Sequence, residues 1–275
     1  MHAKSMQAAL EWYLDHGVDE ALADSPNSRT AESQIAVIPD KKPAEISKIR
    51  DSEIPILGKS DAAVESARLA AQANTLEELK EAMRAFDGLA IKKTATNLVF
   101  CDGNPQSKIM LVGEAPGADE DRLGKPFVGV SGQLLDRILK CIDLDRAEED
   151  PKKSLYISNI LNWRPPGNRT PSPAEIEVSL PFIEKHIMLV QPKILILCGG
   201  VSAKALLSRE EGISRLRKTW HSYKPQTSAL GYEGPPIPAI ATYHPAYLLR
   251  TPSQKKAVWA DMLAILEKSR EIGIK

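Results

Sequence analysis

Four short apolar runs, Ile109–Val112, Leu155–Ile160, Ile194–Cys198 and Ile237–Tyr243, constrain this chain more than any other feature. They are rich in Ile, Val and Leu, as strands covered on both faces are, and too short for buried helices. Helical patterns separate them at Gln133–Ile142, Pro173–Val190 and Ser202–Leu207, and a last one over Ser253–Ile272 closes the chain. Strand and helix in alternation predict an α/β fold, a parallel sheet sandwiched between helices.

The 275 residues suffice for one large domain with an appendage. Residues 5–22 predict a short amphipathic helix with Leu10, Tyr13 and Leu14 along one side. Residues 24–60, rich in Ser, Pro, Asp and Lys, read as a linker. The expected division is therefore 1–60, an N-terminal helix and flexible linker, and 61–275, the folded domain. Residues 61–86 return to a helical pattern, with Thr75 as an N-cap and Glu78 three residues on. No run approaches the 18 apolar residues of a membrane span, and no basic start precedes an apolar stretch, so a cytoplasmic protein is expected. Cys101, Cys141 and Cys198 are odd in number, widely spaced and form no C-x-x-C pair. That argues against a disulfide framework and against a metal site built from cysteine alone. The net charge is zero, but residues 1–60 hold 7 basic and 10 acidic side chains, which leaves the body at +3. A mildly basic body can focus a small positive groove for nucleic acid.

Open parallel sheets carry their functional groups beyond the carboxyl ends of the strands. Beyond the first run stands GEAPGADED (113–121), at the end of the second Asn159 and then NWRPPGNRTPS (162–172), after the third Gly199–Gly200, and after the fourth YHPAYLLR (243–250). Each alone has a plain structural reading. GEAPG suits a tight turn before an acidic helix start, RPPGNRTPS a stiff loop ending in the N-cap Ser172, one His a structural hydrogen bond, and Phe127 the core. No G-x-S-x-G, G-x-G-x-x-G or P-loop occurs, which argues against serine hydrolases and against dinucleotide and NTP enzymes. It is the conjunction on one rim of the sheet that marks a site.

In this order, DGNPQSKIMLVGEAPGADED, GKPFVGVSGQLLDRIL, SNILNWRPPGNRTPSPAE, PKILILCGG and TYHPAYLLRTPSQKKAVWADM resemble the uracil-DNA glycosylase superfamily, most closely its family 4. The likeness runs from about Asp102 to Lys268, with GEAPG and HPAYLLR at the two active-site motifs. It implies a three-layer α/β/α fold around a central four-stranded parallel sheet, here with an N-terminal helical extension. It also implies a monofunctional hydrolase that takes uracil from single- or double-stranded DNA and leaves an abasic site; a monomer is expected. Family 4 members usually hold a four-iron–four-sulfur cluster through four cysteines. At those places this chain has Phe86, Leu89, Trp163 and Ser179, so neither metal nor other cofactor is expected. Some relatives trap uracil-DNA through a His after the second strand; RPPGNRTPSPAE has none, and covalent trapping is not expected.

The resemblance also assigns roles. His244 donates to uracil O2, Asn159 reads the uracil edge, Phe127 is the aromatic platform, and the turn of Glu114, Ala115, Pro116 and Gly117 adds backbone donors. Ala115 stands where family 1 enzymes place a water-orienting Asp, so Glu114 and Glu120 are expected to organise water and stabilise the sugar cation. Gly117 replaces the Tyr that excludes thymine, leaving that face to Glu120 and its neighbours. Tyr247, Leu248, Leu249 and Arg250 would form the wedge that enters the duplex, with Leu248 the inserted group. Arg164, Arg169, Lys218 and Arg250 are candidates to meet phosphates, with a solvated surface charge the favoured reading for Lys218. Two alternatives remain at this point: a uracil reader without turnover, and an enzyme for another base such as hypoxanthine or xanthine.

Overall fold

The computed structural model describes residues 60–274. The helix expected over 5–22 and the linker over 24–60 lie outside the described residues.

The stretch 61–86 is two helices, α1 (Asp61–Gln72) and α2 (Leu76–Ala85). Ser60 Oγ accepts the Ala63 N–H at 3.2 Å and starts the first. Thr75 Oγ1 accepts the Glu78 N–H at 3.1 Å while Glu78 reaches back to the Asn74 N–H at 2.6 Å, so the second begins at the expected cap. Ala73, extended at ψ 128°, separates them.

Six strands form the sheet: β1 (Asp102–Gly103), β2 (Ile109–Gly113), β3 (Tyr156–Asn159), β4 (Ile194–Cys198), β5 (Trp220–Tyr223) and β6 (Ile237–Thr242), in the order β1-β3-β2-β4-β6-β5. The inner four, β3-β2-β4-β6, run parallel and are the expected ones. Two antiparallel edge strands extend them, β1 against β3 and β5 against β6. Every residue of β2, β3 and β4 is buried, which is why β2 and β4 carry no polar side chain except the Cys198 thiol, while β3 ends in the buried polar pair Ser158 and Asn159.

The remaining helices are α3 (Ala118–Leu123), α4 (Val130–Lys140), α5 (Pro173–Val190), α6 (Gly200–Leu207), α7 (Ile213–Leu216), α8 (Pro245–Arg250) and α9 (Lys255–Glu271). They cover both faces. Met110 and Val112 of β2 join a cluster with Phe182 and Ile187 of α5, while Ile109 and Leu111 join a second with Leu135 of α4 and Met262 of α9. Alternate residues of one strand thus feed opposite layers, as the two-residue strand period requires. Burying one such side chain contributes about 1.5–3 kcal/mol. No helix among the described residues is long and apolar enough to cross a membrane.

Phe86, Leu89 and Trp163 all lie in the first cluster, buried, and Phe86 meets Phe182 edge-on at 5.3 Å. Lys92 Nζ donates to the carbonyls of Arg84 and Phe86 and to Asp87 Oδ1, so one ammonium closes the loop after α2.

The registers bring the strand ends level, with Gly113 opposite Asn159 and Cys198 opposite Thr242. All four rim segments therefore open at one height.

Candidate active site

A cavity of about 490 Å³ opens at this rim, lined by residues of all three long motifs. Its floor is where β2 and β3 end. Asn159 is 2% exposed, and its Oδ1 has no hydrogen-bond partner. Such a buried acceptor costs about 1–3 kcal/mol if nothing ever pairs with it, so it points to a ligand. Gly113 makes room beside it. A Cβ there would lie 2.4 Å from Asn159 Oδ1 and 2.6 Å from the Phe127 ring.

Phe127 forms one wall. Its ring is 5.4 Å from the His244 ring with 29° between the planes, and its backbone stands at φ +53°, the left-handed region. Two neighbours fit it closely: Gly113 under the ring, and Gly132, whose Cβ would come 1.9 Å from the Phe127 carbonyl oxygen.

His244 is the N-cap of α8. Its Nδ1 accepts the Ala246 N–H at 3.2 Å. Proton placement follows from that bond: with Nδ1 accepting, the hydrogen of the neutral ring sits on Nε2 as a donor. Burial lowers the pKa from 6.5 to about 4, with Arg250 adding to the effect and Glu120 opposing it. The ring is thus a neutral donor near pH 7.

Two glutamates of the first motif take different parts. Glu114 lines the cavity, and burial raises its pKa. Its carboxylate has no hydrogen-bond or ion-pair partner among the described residues. Glu120, expected to organise water, is engaged with the backbone. It accepts the N–H of Gly117 at 3.1 Å and those of Val128 and Gly129 at 2.9 Å each. It ties the GEAPG turn to the loop of Phe127, and it takes the Gly117 donor out of the site. Ala115, Pro116 and Gly117 also line the cavity.

Four of the expected DNA contacts stand differently in the structure. Leu248 is not available as the inserted group: it is fully buried in the second core cluster, whereas Leu249 is 44% exposed. The phase of α8 decides between the two leucines. Arg169 lines the cavity, but its guanidinium is paired with Glu175 at 2.7 and 2.8 Å, and this holds the Glu175 pKa at about 2. Arg164 lies off the cavity and donates through Nε to Asn168 Oδ1 at 2.7 Å. Lys218 does not line the cavity, whereas Arg250 and Tyr247 do. Arg250 is exposed and has no ion-pair partner among the described residues.

Ser131, Asn168 and Thr170 also line the cavity and were not singled out by sequence. Asn168 stands at φ +56°, and the G-N of PPGN was the available signal for such a turn. Behind the fourth motif, Asp261 accepts from Arg217 at 2.8 and 3.1 Å and from Thr242 at 2.8 Å, and Arg217 lies over the Tyr243 ring at 5.0 Å. This buried pair braces the residues just before His244.

The positions where the resemblance would put cluster ligands offer no thiolate. Phe86, Leu89 and Trp163 are buried carbon, and Ser179 Oγ is buried without a partner. Among the described residues no group of three or more His, Cys, Asp or Glu side chains could hold a metal ion. This donor set does not fit an iron–sulfur cluster.

Comparison with known proteins gives one direction. The model of the uracil DNA glycosylase superfamily matches residues 100–263. A type-4 uracil-DNA glycosylase of Pyrobaculum aerophilum is 34% identical over 187 residues, 68% of this chain and 91% of that protein. One of Sulfurisphaera tokodaii is 33% identical over 203 residues, 73% and 86% of the two chains. One of Thermotoga maritima is 29% identical over 184 residues, 66% and 86%.

Proposed function

The chain belongs to the uracil-DNA glycosylase superfamily, and from that premise we propose that it is a DNA repair glycosylase. It draws uracil out of the helix and hydrolyses the bond from uracil N1 to deoxyribose C1′. Water adds its oxygen to C1′ and loses a proton to the surrounding solvent, the N1–C1′ pair leaves with the base as an anion that takes up a proton from solvent, and the products are uracil and an abasic site.

The observation that carries this reading is the unpaired Asn159 Oδ1 on the cavity floor. A side-chain amide accepts through Oδ1 and donates through Nδ2. Uracil presents N3–H and O4, the complementary pair. Cytosine presents N3 and an exocyclic amine, the reverse, and would leave both groups of Asn159 facing like partners. A site built around buried hydrogen bonds rejects such an analogue strongly, because the groups are then stranded without water.

As the bond stretches, negative charge gathers on the base and positive charge on the sugar, and fixed donors and charges that match both lower the barrier. His244 Nε2–H faces O2 of the departing base. Being neutral, it donates without giving up its proton to the uracilate. Glu114 has the free carboxylate of the site, and it takes the water and the sugar cation as its part. Glu120 maintains the geometry of the two loops. Phe127 stacks on the base, a contact that contributes about 1–3 kcal/mol. Extrusion costs a few kcal/mol in a duplex. Leu249 fills the space the base leaves, and Arg250 meets the adjacent phosphate.

The test is a glycosylase assay on labelled oligonucleotides carrying one uracil, single-stranded and opposite G or A, followed by alkaline cleavage. Strand breaks at the uracil position are expected. Tight binding without abasic sites would make the protein a uracil reader and remove the roles given to His244 and Glu114.

A further inference from the structure

The loop that presents Phe127 is gripped from two sides, and one grip belongs to a residue outside the cavity. On the amide side, Glu120 takes the N–H groups of Val128 and Gly129. On the carbonyl side, Arg146 donates through Nη1 to the Pro126 oxygen at 2.8 Å and through Nη2 to the Phe127 oxygen at 2.9 Å. The guanidinium is aimed in turn. Asp136 of α4 accepts from its Nε at 2.9 Å and its Nη2 at 2.7 Å, and Asp102 of β1 accepts from its Nη1 at 3.2 Å. The side chain is only 13% exposed.

This geometry has a purpose that packing alone does not explain. Phe127 stands in the left-handed region, which an aromatic residue holds only when its surroundings over-determine it. An anion on the amides and a cation on the carbonyls of four consecutive residues are such surroundings. A planar fork can bridge two successive carbonyls while two carboxylates hold its other edge; an ammonium cannot.

We infer that Arg146 is a positioning residue for the reaction: it fixes the plane of the Phe127 ring on which the extruded base stacks, without touching that base. This rests on the uracil reading given above. A residue that merely stabilised the fold would lower the melting temperature and leave the affinity of the folded protein for uracil unchanged.

The experiment measures kcat and KM on a single-stranded oligonucleotide with one uracil, and the inhibition constant of free uracil. The proteins are the wild type, R146Q, R146K, F127A and the double variant R146Q/F127A, each also melted thermally. R146Q and R146K should weaken inhibition by uracil about 5- to 150-fold, the range of a lost base–aromatic stack. In the F127A background, R146Q should add less than about twofold, because both changes remove the same contact. Should R146Q fail to fold, R146K keeps the charge between the two aspartates and carries the same expectation. A variant that melts earlier with an unchanged uracil constant overturns the inference and makes Arg146 a structural residue. Losses that multiply in the double variant overturn it as well. A wild type that binds uracil but yields no abasic sites withdraws the glycosylase reading while leaving the effect of Arg146 on uracil binding to be judged by the same constants.

Discussion

An ordinary histidine is almost wholly charged at pH 5, and His244 is expected not to be. Its enclosure lowers the pKa to about 4. At pH 5 an imidazole titrating at its ordinary 6.5 is about 97% protonated, and one titrating near 4 is about 9% protonated. The neutral ring with its Nε2–H donor therefore survives through the range in which an ordinary histidine is lost. Measured as kcat/KM on a single-stranded uracil oligonucleotide from pH 8 to pH 4, activity should show no inflection near 6.5. Glu114 complicates the acid limb, because burial raises its pKa above the usual carboxylate value and its charged form is the useful one. The wild type should therefore begin to fall where Glu114 takes its proton. Glu114→Gln should be slower overall, with that limb gone and a decline only towards pH 4. Folding carries the same signature. Below about 6.5 the unfolded chain binds a proton that native His244 refuses, so stability is full above that pH and declines as the pH falls towards 4. A limb with its midpoint near 6.5 that persists in Glu114→Gln and vanishes in His244→Gln would refute the argument.

The two adjacent leucines of α8 should separate cleanly. Leu248→Ala removes a fully buried side chain and should cost about 2–5 kcal/mol in urea unfolding, with activity per folded molecule little changed. Leu249→Ala should leave stability within about 0.5 kcal/mol and reduce excision from duplex more than from single strands; equal losses on both substrates would remove its role as the wedge. Gly113→Ala should abolish uracil binding, since its methyl group would occupy the space of the Asn159 amide and the Phe127 ring; retained uracil inhibition would show that the floor relaxes. Asp261→Asn leaves Arg217 buried beside half a partner and should destabilise the fold by about 3–5 kcal/mol, read by chemical denaturation. A loss below about 1 kcal/mol would mean that the pair is screened by water.

The inner four strands are legible in the sequence because burial on both faces leaves short runs dominated by apolar residues. The edge strands are not: β1 is two residues long, and β5 (WHSY) has only Tyr223 buried. The sequence pattern therefore reveals the core of the sheet and not its edges. In the site, the motif residues whose backbone sits at the strand ends were found, because their position follows from topology. Side chains whose role depends on a partner were not. Arg146 reaches back 19 and 20 residues to the Phe127 and Pro126 carbonyls, a distance no local pattern reveals. Glu120 reads as one more acid in ADED until its three amide partners are seen. Leu248 and Leu249 are chemically the same, and only the rotation of a six-residue helix sends one inward. Arg169 offered a usable clue, since Glu175 three residues after the N-cap Ser172 completes a capping box close to its guanidinium.

The apolar filling at Phe86, Leu89 and Trp163 alters how this domain must come into being. A loop closed by metal ligation waits for its metal, and its stability then depends on metal concentration and on the redox state of the thiols. Here the Phe86–Phe182 contact and the Lys92 ammonium close the same loop with groups that every newly made chain already carries. Chelators and peroxide, which dismantle a cluster, find at these three positions only hydrocarbon and an indole.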